Sequence, residues 1–585
     1  MTMFVIGDDS VTGRLDVYQK GGRTRRSAPT TNSLWPLYGA GLENLGVDGK
    51  PLEMPMPEYG PDELLVRHDA CGLCFSDIKV IKLGQEHPRI FRDIRKDPVV
   101  LGHEVAMTVV GVGANLEDQY RVGDRFIIQA DIWSHGVNLA YGYMIQGGLS
   151  QYGVIDQRIL NGDFGNYLIP VKPGTGYAES ALTEPWACVT AAYELKYRTG
   201  LKAGGTAWVI GTDAAKEQQY TIGAGFDEGS HPARLMLTQA PAAFEAWLRK
   251  RAAALGVEVV AAGDVAAPPV TPVDDIILLC PTPELIETVS PHLADFGICA
   301  IMADTPMPRK IAVDIGRVHY NRWVYVGSTG SDVARAYSDV PVRSSLRPGG
   351  RVLFVGAGGP MGRMHVQRAI QVAGAPKVIV CTDVSTLRLD DLRESFGAEA
   401  AARGVEFVCL NPTERASYEA GMARFRDGGF DDIIVLAPVS AVIADAATWL
   451  APEGVMNVFA GVARGTTTQI DLSTVYLKQA RHIGHSASSI DDLRFMLFQA
   501  EAGVLSPNRS VAAVGSLGAV RDGLQAVMDT SFPGKVVIYP HIKDMPLTAV
   551  PDLKDRLPSV YAKLKDGREW TNEAENEFLR QMLED

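Results

Sequence analysis

The segment Arg351-Val-Leu-Phe-Val-Gly-Ala-Gly-Gly-Pro-Met-Gly362 decides the fold of this 585-residue chain. Residues 352–355 form an apolar run without polar alternation, which is typical of a parallel strand buried on both faces. The glycines that follow allow a tight turn, and the pattern predicts a helix from Met361 onward. A buried strand, a glycine-rich turn and a helix together predict a βαβ unit, and therefore an α/β fold.

The same segment carries the residues of a dinucleotide site. Glycines in such a turn let the backbone approach a pyrophosphate, whose charge is met by the N-terminus of the helix. The next predicted strand, residues 377–382, ends in Asp383, which can accept hydrogen bonds from ribose hydroxyls and disfavours a 2′-phosphate. The sequence therefore predicts NAD rather than NADP, although a tight strand-to-helix connection alone would also need glycine. The predicted cofactor-binding residues are Gly356, Gly358, Gly359, Pro360, Met361, Gly362 and Asp383.

The chain contains a second copy of this pattern. The tetrapeptide Asp-Asp-Ile-Ile at residues 274–277 recurs at residues 431–434, and the offset of 157 residues holds as far as Gly327 and Gly484. Upstream, the paired glycines at 204–205 match those at 349–350 with an offset of 145 residues. Self-similarity of this kind indicates a duplicated unit. We interpret residues 196–345 and 346–500 as two tandem, doubly wound Rossmann-like domains.

The first copy lacks the residues that would hold a dinucleotide. Two acids in its turn would face the pyrophosphate and repel it. We therefore expect this copy to be degenerate, a scaffold without the dinucleotide, the alternative being that it binds an unrelated ligand. The substitutions are Asp213, Ala214 and Glu217 for Gly358, Gly359 and Gly362, and Gln239 for Asp383.

Three short motifs ahead of the repeats contain potential metal ligands: Cys71-Gly-Leu-Cys74, His103-Glu104 and Glu184-Pro185. Thiolate, imidazole and carboxylate are the ligands of zinc, and a catalytic zinc takes three protein ligands and leaves a fourth position for water or substrate. A redox pair or half of a zinc knuckle is the alternative for the two cysteines, but the sequence has no second Cys-x-x-Cys motif.

Taken in order, four motifs resemble the zinc-containing medium-chain dehydrogenases, and the match extends over most of the chain. They are CGLCFSD at 71–77, GHE at 102–104, VGDR at 122–125 and EP at 184–185. The similarity is strongest to sorbitol dehydrogenases and, through LGQEH at 83–87, GG at 147–148 and VHYN at 318–321, to L-sorbose-1-phosphate reductases. The resemblance implies a GroES-like, β-rich catalytic domain at residues 35–195, preceded by an N-terminal extension at 1–34 and completed by residues 501–585.

The resemblance also implies a set of ligands. Cys74, rather than Cys71, would bind one zinc ion with His103, while Glu104 and Glu184 would bind the metal directly or through water. Asp77 would hold the imidazole of His103 in its ligating tautomer. Many family members bind a second, structural zinc through four closely spaced cysteines, but residues 126–170 contain no cysteine. We therefore expect one zinc ion per chain.

Such a site supports hydride transfer from a secondary alcohol to NAD. Zinc lowers the pKa of a hydroxyl, and Ser76, two residues beyond Cys74, can accept the hydroxyl proton. The family often has a histidine three residues beyond this serine, where this chain has Lys79. Lys79 could join the proton relay, attract a substrate phosphate, or be an ordinary surface lysine.

The resemblance favours a polyol, a sugar or a sugar phosphate as the substrate. One alternative is another secondary alcohol, such as threonine or butanediol, because the same apparatus serves them all. A second alternative is a non-catalytic NAD-binding or redox-sensing protein. Such a protein would be expected to lose its metal ligands, which this chain has kept.

Composition indicates a cytoplasmic protein that acts on a small molecule. A net charge of -13 disfavours nucleic acids and acidic membranes as partners. Residues 1–31 lack the apolar core of a signal peptide, and no apolar stretch is long enough to span a bilayer. Seven scattered cysteines indicate a reducing compartment. Four of them lie in or beside apolar runs and are expected to be buried: Cys280, Cys299, Cys381 and Cys409.

Family members commonly dimerise by pairing their Rossmann sheets edge to edge, which also protects an exposed edge strand. Two copies in one chain could make this pairing internally. The degenerate copy would then stand in for a partner subunit and the protein would be a monomer, the alternative being a homo-oligomer.

Overall fold

The computed structural model describes residues 11–22, 29–338, 343–485 and 487–583. Two compact units make up the chain, one formed by residues 1–190 and 488–585 and the other by residues 191–487. Residues 1–10 and 23–28 of the predicted N-terminal extension, which also belong to the stretch judged not to be a signal peptide, lie outside the described residues. None of the helices within the described ranges is both long and apolar enough to cross a membrane.

The N-terminal part of the first unit consists mainly of strands. Its elements are α1 (Val11–Gln19), β1 (Thr31–Leu34), β2 (Pro36–Leu37), β3 (Leu52–Pro55), β4 (Leu64–Gly72), α2 (Phe75–Leu83), β5 (Val99–Val100), β6 (Glu104–Val112), β7 (Arg125–Ile128), β8 (Trp133–Ser134), β9 (Val137–Asn138), β10 (Tyr152–Ile155), α3 (Gln157–Leu160), β11 (Leu168–Pro170), α4 (Tyr177–Ala181) and α5 (Thr183–Ala191).

The second unit contains both copies of the repeat. The first copy comprises β12 (Thr206–Ile210), β13 (Arg234–Thr238), α6 (Ala242–Leu255), β14 (Glu258–Ala261), β15 (Val273–Leu279), α7 (Pro283–Val289), β16 (Leu293–Met302), β17 (Ile311–Asp314), α8 (Ile315–Tyr320) and β18 (Val324–Ser328). The second copy comprises β19 (Arg351–Val355), α9 (Pro360–Gln371), β20 (Val378–Thr382), α10 (Thr386–Ala402), β21 (Glu406–Leu410), α11 (Arg415–Ala423), β22 (Phe430–Val435), α12 (Ser440–Ala447), β23 (Leu450–Val458), β24 (Thr467–Ile470), α13 (Ser473–Leu477) and β25 (Arg481–Gly484).

The C-terminal residues complete the sheet of the first unit. They form α14 (Ile490–Glu501), β26 (Val511–Ser516), α15 (Val520–Met528), β27 (Lys535–Tyr539), β28 (Thr548–Ala549), α16 (Leu553–Arg556), α17 (Pro558–Tyr561) and α18 (Asn572–Met582). The eight-stranded sheet has the order β11-β7-β6-β4-β27-β26-β28, and β10 also pairs with β4. The pairing of β27 with β4 brings C-terminal side chains next to the segment that follows β4.

The two copies in the second unit share one twelve-stranded sheet, with the order β14-β13-β12-β15-β16-β18-β25-β23-β22-β19-β20-β21. Within each copy the strands are parallel and follow the order 3-2-1-4-5-6 of a doubly wound sheet. The sixth strands, β18 and β25, pair antiparallel at Tyr325 and His482. The edge that each copy would otherwise expose is therefore covered by the other copy.

Matched residues play the same part in both copies. Arg198 Nη1 lies 2.9 Å from Asp275 Oδ1 at the start of β15, and Arg343 pairs with Asp432 at the start of β22. These residues stand at the offsets of 145 and 157 found in the sequence. Each acid also accepts a backbone N–H from the loop before the first strand of its copy. The repeat thus extends to individual buried contacts.

The copies differ after their first strand. In the second copy, β19 leads through the glycine turn into α9. In the first copy, residues 211–233, all of which the structure describes, contain only a short 3-10 turn at Asp213–Ala215 before β13 begins. The first copy therefore has no helix N-terminus at the position where a doubly wound fold binds a pyrophosphate.

The predicted burial of the core cysteines is confirmed for Cys299, Cys381 and Cys409 and is wrong for Cys280. The apolar run at residues 276–280 predicts a strand that includes Cys280, but β15 ends at Leu279 and Cys280 takes a left-handed conformation with φ of 49°. The chain turns away from the sheet at this residue, so its thiol is partly exposed.

Internal pairing of β18 with β25 leads to a prediction about the oligomeric state. We expect static light scattering to give the mass of one chain, 63.1 kDa, because neither sixth strand is free to pair with a second molecule. A dimer in which cross-linking joins β18 or β25 to the same strand of another molecule would contradict this expectation.

Candidate metal centre and nucleotide-binding turn

Three of the predicted metal ligands come together in the first unit. One ligand atom from each of Cys74, His103 and Glu104 lies within 4.8 Å of the other two. The strand register accounts for this, because Gly72 at the end of β4 pairs with Glu104 at the start of β6. The segment after β4 and the segment before β6 therefore meet at one edge of the sheet.

Asp77 links the two segments. One of its carboxylate oxygens accepts a hydrogen bond of 2.9 Å from the backbone N–H of Cys74, which caps helix α2. The other lies 3.3 Å from His103 Nδ1 and accepts a hydrogen bond from the backbone of Gly102. Burial disfavours the charged form of His103, but Asp77 and Cys74 together raise its pKa well above the usual value. The site thus stabilises positive charge where a cation would be held.

Glu104 has a partner that sequence analysis missed. Its Oε1 lies 2.5 Å from Nζ of Lys535, the first residue of β27, and both side chains are buried. Burial opposes the charge of Lys535, but the carboxylate of Glu104 raises its pKa. The second oxygen, Oε2, is buried and has no hydrogen-bond partner among the described residues. A buried carboxylate oxygen without a donor is what a metal ligand looks like before the metal binds.

Glu184 lies on α5, outside the group formed by Cys74, His103 and Glu104. Burial raises its pKa to about 7; the charge of His103 opposes this shift and that of Glu104 adds to it. Glu184 therefore lies close enough to these ligands to be influenced by their charges. This arrangement suits a carboxylate that reaches a metal through water.

Ser76 and Lys79 lie on the first turns of α2. The backbone N–H of Ser76 donates a hydrogen bond of 3.5 Å to Cys74 Sγ, and its side chain is half-buried. Lys79 is exposed. Tyr143, to which sequence analysis gave no role, is buried with its ring centroid 6.2 Å from that of His103. An aromatic residue in a loop gives no sequence signal that separates such a position from ordinary packing.

The donor set fits a zinc ion. One thiolate, one imidazole and one carboxylate are the types of ligand that zinc prefers, and three protein ligands leave a position for a substrate oxygen. The unpartnered Oε2 of Glu104 supplies an acceptor that no residue described in the structure uses. The alternative of a redox pair at Cys71 and Cys74 is disfavoured, because Cys71 is fully buried and burial raises the pKa of its thiol well above the usual value.

The glycine turn of the second copy is open at the N-terminus of α9. Gly356 has a φ of 79°, and a Cβ atom at Gly359 would meet no atom within 4 Å. Helix α9 begins at Pro360, one residue earlier than predicted, and no side chain caps its first N–H groups. Asp383, at the end of β20, accepts a hydrogen bond of 2.9 Å from the backbone of Gly358. The turn has the space and the free donors that a pyrophosphate needs.

The two other predicted residues of the turn have packing roles. A Cβ atom at Gly362 would come within 2.4 Å of the carbonyl oxygen of Ala357, so α9 can approach the turn only if this residue is glycine. Met361 is partly buried in the first turn of α9. Met361 and Gly362 lie on the helix side of the turn, and the space next to Gly359 stays open.

The chain is similar to known proteins in both sequence and fold. Residues 60–162 match the family model of the alcohol dehydrogenase GroES-like domain. A mannitol-1-phosphate 5-dehydrogenase of Aliivibrio fischeri is 23% identical over 85% of this chain and 84% of its own length. An L-sorbose 1-phosphate reductase of Klebsiella pneumoniae is 21% identical over 90% of this chain and 93% of its own length. A structure described as a short chain alcohol dehydrogenase of Escherichia coli CFT073, complexed with NADH, has a similar fold, with a TM-score of 0.50, 12% identity, and coverage of 87% of this chain and 100% of that one.

The buried ion pair at Glu104 generates a stability prediction. Replacing Lys535→Met keeps the length of the side chain but leaves the Glu104 carboxylate buried without its partner. We expect the metal-free protein to lose about 3–5 kcal/mol of unfolding free energy, measured by denaturant titration. The matched control is Lys216→Met, which breaks the exposed pair with Asp213 and should cost about 1 kcal/mol or less. Equal losses of unfolding free energy in the two variants would show that the buried pair contributes no more to stability than an exposed pair.

Proposed function

Since the chain belongs to the medium-chain dehydrogenase/reductase superfamily and is an oxidoreductase of the alcohol type, we propose that it is a zinc-dependent, NAD-linked dehydrogenase. Its substrate would be a polyol or a sugar, free or phosphorylated. The observation that carries this proposal is the grouping of Cys74, His103 and Glu104 around one point in the first unit. The two full-length relatives described above are named for reactions on sugar phosphates, which supports the substrate class.

Cys74, His103 and Glu104 would hold the zinc ion, with Glu184 reaching it through water. When bound, zinc would supply a Lewis acid that lowers the pKa of the substrate hydroxyl. Asp77 keeps the His103 ring in one orientation, and Lys535 balances the charge of Glu104. These two residues position the ligands and do not touch the substrate.

The reaction would break one C–H bond and one O–H bond of the alcohol. The hydride and the proton would go to different acceptors. When bound, NAD would supply the acceptor for the hydride of the alcohol carbon, and Ser76 would accept the hydroxyl proton and pass a proton to solvent. Ser76 is suited to this step because it is half-buried and adjacent to the N-terminus of α2. The products would be a carbonyl compound, NADH and one proton released to solvent.

We assign the dinucleotide to the second copy alone. The open space beside Gly359 leaves the N-terminus of α9 accessible, while Gly356 and Gly358 let the turn pack closely against its neighbours. Asp383 would accept hydrogen bonds from the adenosine ribose. In the first copy the corresponding segment has no α-helix within residues 211–233. Asp213 and Glu217 would also repel a pyrophosphate there. The first copy would then serve as a scaffold, and one chain would bind one NAD.

This assignment predicts the stoichiometry and selectivity of cofactor binding. Calorimetric titration should give one NADH per chain, and NAD should bind more tightly than NADP because the Asp383 carboxylate opposes a 2′-phosphate. Replacing Asp383→Ala should weaken NAD binding and narrow its advantage over NADP by about tenfold or more. Two NADH sites per chain would contradict the assignment. If the Asp383→Ala variant kept the wild-type preference for NAD over NADP, Asp383 would not be the residue that selects the cofactor.

The proposed activity predicts chelator-sensitive turnover. A panel of polyols, sugar phosphates, diols and threonine should include at least one substrate that reduces NAD, with activity lost after zinc chelation and restored by zinc. Asp77→Asn should lower zinc affinity about 10- to 100-fold, because the contact that orients His103 is weakened. The exposed Asp97→Asn is the control. A zinc-loaded, NAD-binding protein that oxidises none of these substrates would favour a non-catalytic sensor instead.

A further inference from the structure

Three basic side chains converge beside the metal ligands. Lys79 is exposed on α2, two residues after Asp77, and His87 and Arg89 lie in the segment that follows this helix. Burial lowers the pKa of His87, and the charges of Arg89 and Lys79 lower it further. The three groups are therefore near enough to one another for their charges to interact.

Tyr143 connects this basic group to the metal ligands. Its ring centroid lies 5.5 Å from that of His87 and 6.2 Å from that of His103. The guanidinium carbon of Arg89 lies 4.8 Å from the same ring centroid. His87 and Arg89 are thus separated from a proposed metal ligand by the width of one aromatic ring. A molecule bound at the metal would have the guanidinium of Arg89 and the imidazole of His87 within reach.

The positive charge of this group is only partly balanced. Arg89 Nη2 pairs with Asp131 and donates a hydrogen bond of 2.9 Å to Asn138. Its Nε is buried and has no hydrogen-bond acceptor among the described residues. Lys79 forms no ion pair with any residue in the described part of the chain. A buried guanidinium N–H without an acceptor is costly unless a ligand supplies one.

Asp131 also restricts where the arginine can act. Its charge contributes to the raised pKa of Glu184, so the partner of Arg89 lies close enough to that carboxylate for the two charges to interact. Arg89 is held between Asp131 and the ring of Tyr143. A guanidinium fixed in this way presents its remaining donors in one direction, which suits an oxyanion better than a flexible surface charge does.

We propose that Lys79, His87 and Arg89 bind the phosphate group of the substrate, so that the enzyme acts on a phosphorylated polyol or ketose rather than on the free alcohol. This inference rests on the proposed dehydrogenase function and specifies the class of substrate on which the enzyme acts. The closeness of the basic group to His103 places the phosphate ester within a few bonds of the carbon that is oxidised. Lys79 is then a substrate-binding residue, one of the three roles that the sequence left open.

The test compares matched substrate pairs. We would measure kcat/KM for mannitol against mannitol 1-phosphate and, in the reverse direction, for L-sorbose against L-sorbose 1-phosphate. We expect the wild type to prefer the phosphate ester, and Arg89→Gln and Lys79→Met each to lower the ratio of ester to free substrate about 10- to 100-fold, mainly through KM. The control is Lys82→Met, an exposed lysine on the same helix whose Nζ lies over the Phe75 ring. Its ratio should stay within about twofold of wild type.

Inorganic phosphate gives a readout that does not require turnover. It should bind the wild type, compete with the phosphate ester but not with NADH, and bind Arg89→Gln much more weakly. Zinc content and NADH affinity should be the same in all variants. If zinc and NADH bind but the variants lower kcat/KM for both members of a pair equally, the phosphate site is wrong and the dehydrogenase stands.

The opposite result separates the two proposals. If no alcohol is oxidised, yet inorganic phosphate binds the wild type and not Arg89→Gln, the anion site stands and the proposed function is wrong. Inhibition by phosphate that is competitive with NADH would assign the phosphate to the cofactor and overturn the inference. Failure of the wild type to bind phosphate would also overturn it.

Discussion

The carboxylate of Asp77 fixes the two segments that carry the proposed metal ligands. One oxygen closes the first turn of α2 through the backbone of Cys74, and the other contacts His103 and the backbone of Gly102. Asp77 is fully buried, so these contacts do not exchange with contacts to water. The positions of the thiol and the imidazole therefore depend on one side chain. The positions of Ser76 and Lys79 also depend on this carboxylate, because it caps the first turn of α2 and both residues lie on that helix.

Features with a local signal could be predicted from the sequence. Strand β19 and the glycine turn lie where residues 351–362 place them, because strand burial and positive φ constrain neighbouring residues. Lys535 could not be found in this way. It reaches Glu104 only because β27 pairs with β4, and a lysine at the start of a valine-rich strand has no distinctive pattern. Arg89 was missed for the same reason, since its partner and its stacking ring come from the loop at residues 131–143.

The two copies distinguish what the sheet requires from what a ligand requires. Both keep a left-handed residue at matched positions, Phe296 with φ of 60° and Glu453 with φ of 54°, and both keep the buried arginine–aspartate pair. These features hold the loops at the start of the strands. The helix after the first strand is present only in the second copy. The twelve-stranded sheet forms without it, so that helix is not needed for the fold of the first copy.

The pairing of β18 with β25 joins two copies within one chain. The two sides of this contact therefore need not have identical sequences. In a symmetric dimer every substitution appears twice. Here β25 has Arg481 where β18 has Val324. At another matched pair, His319 lies 2.9 Å from the carbonyl of Val458, whereas Tyr476 donates to the carbonyl of Thr305. The contact between the two copies tolerates different residues as long as the backbone pairing of β18 with β25 persists. The first copy can then lack an α-helix after its first strand and still cover the sheet edge of the second copy.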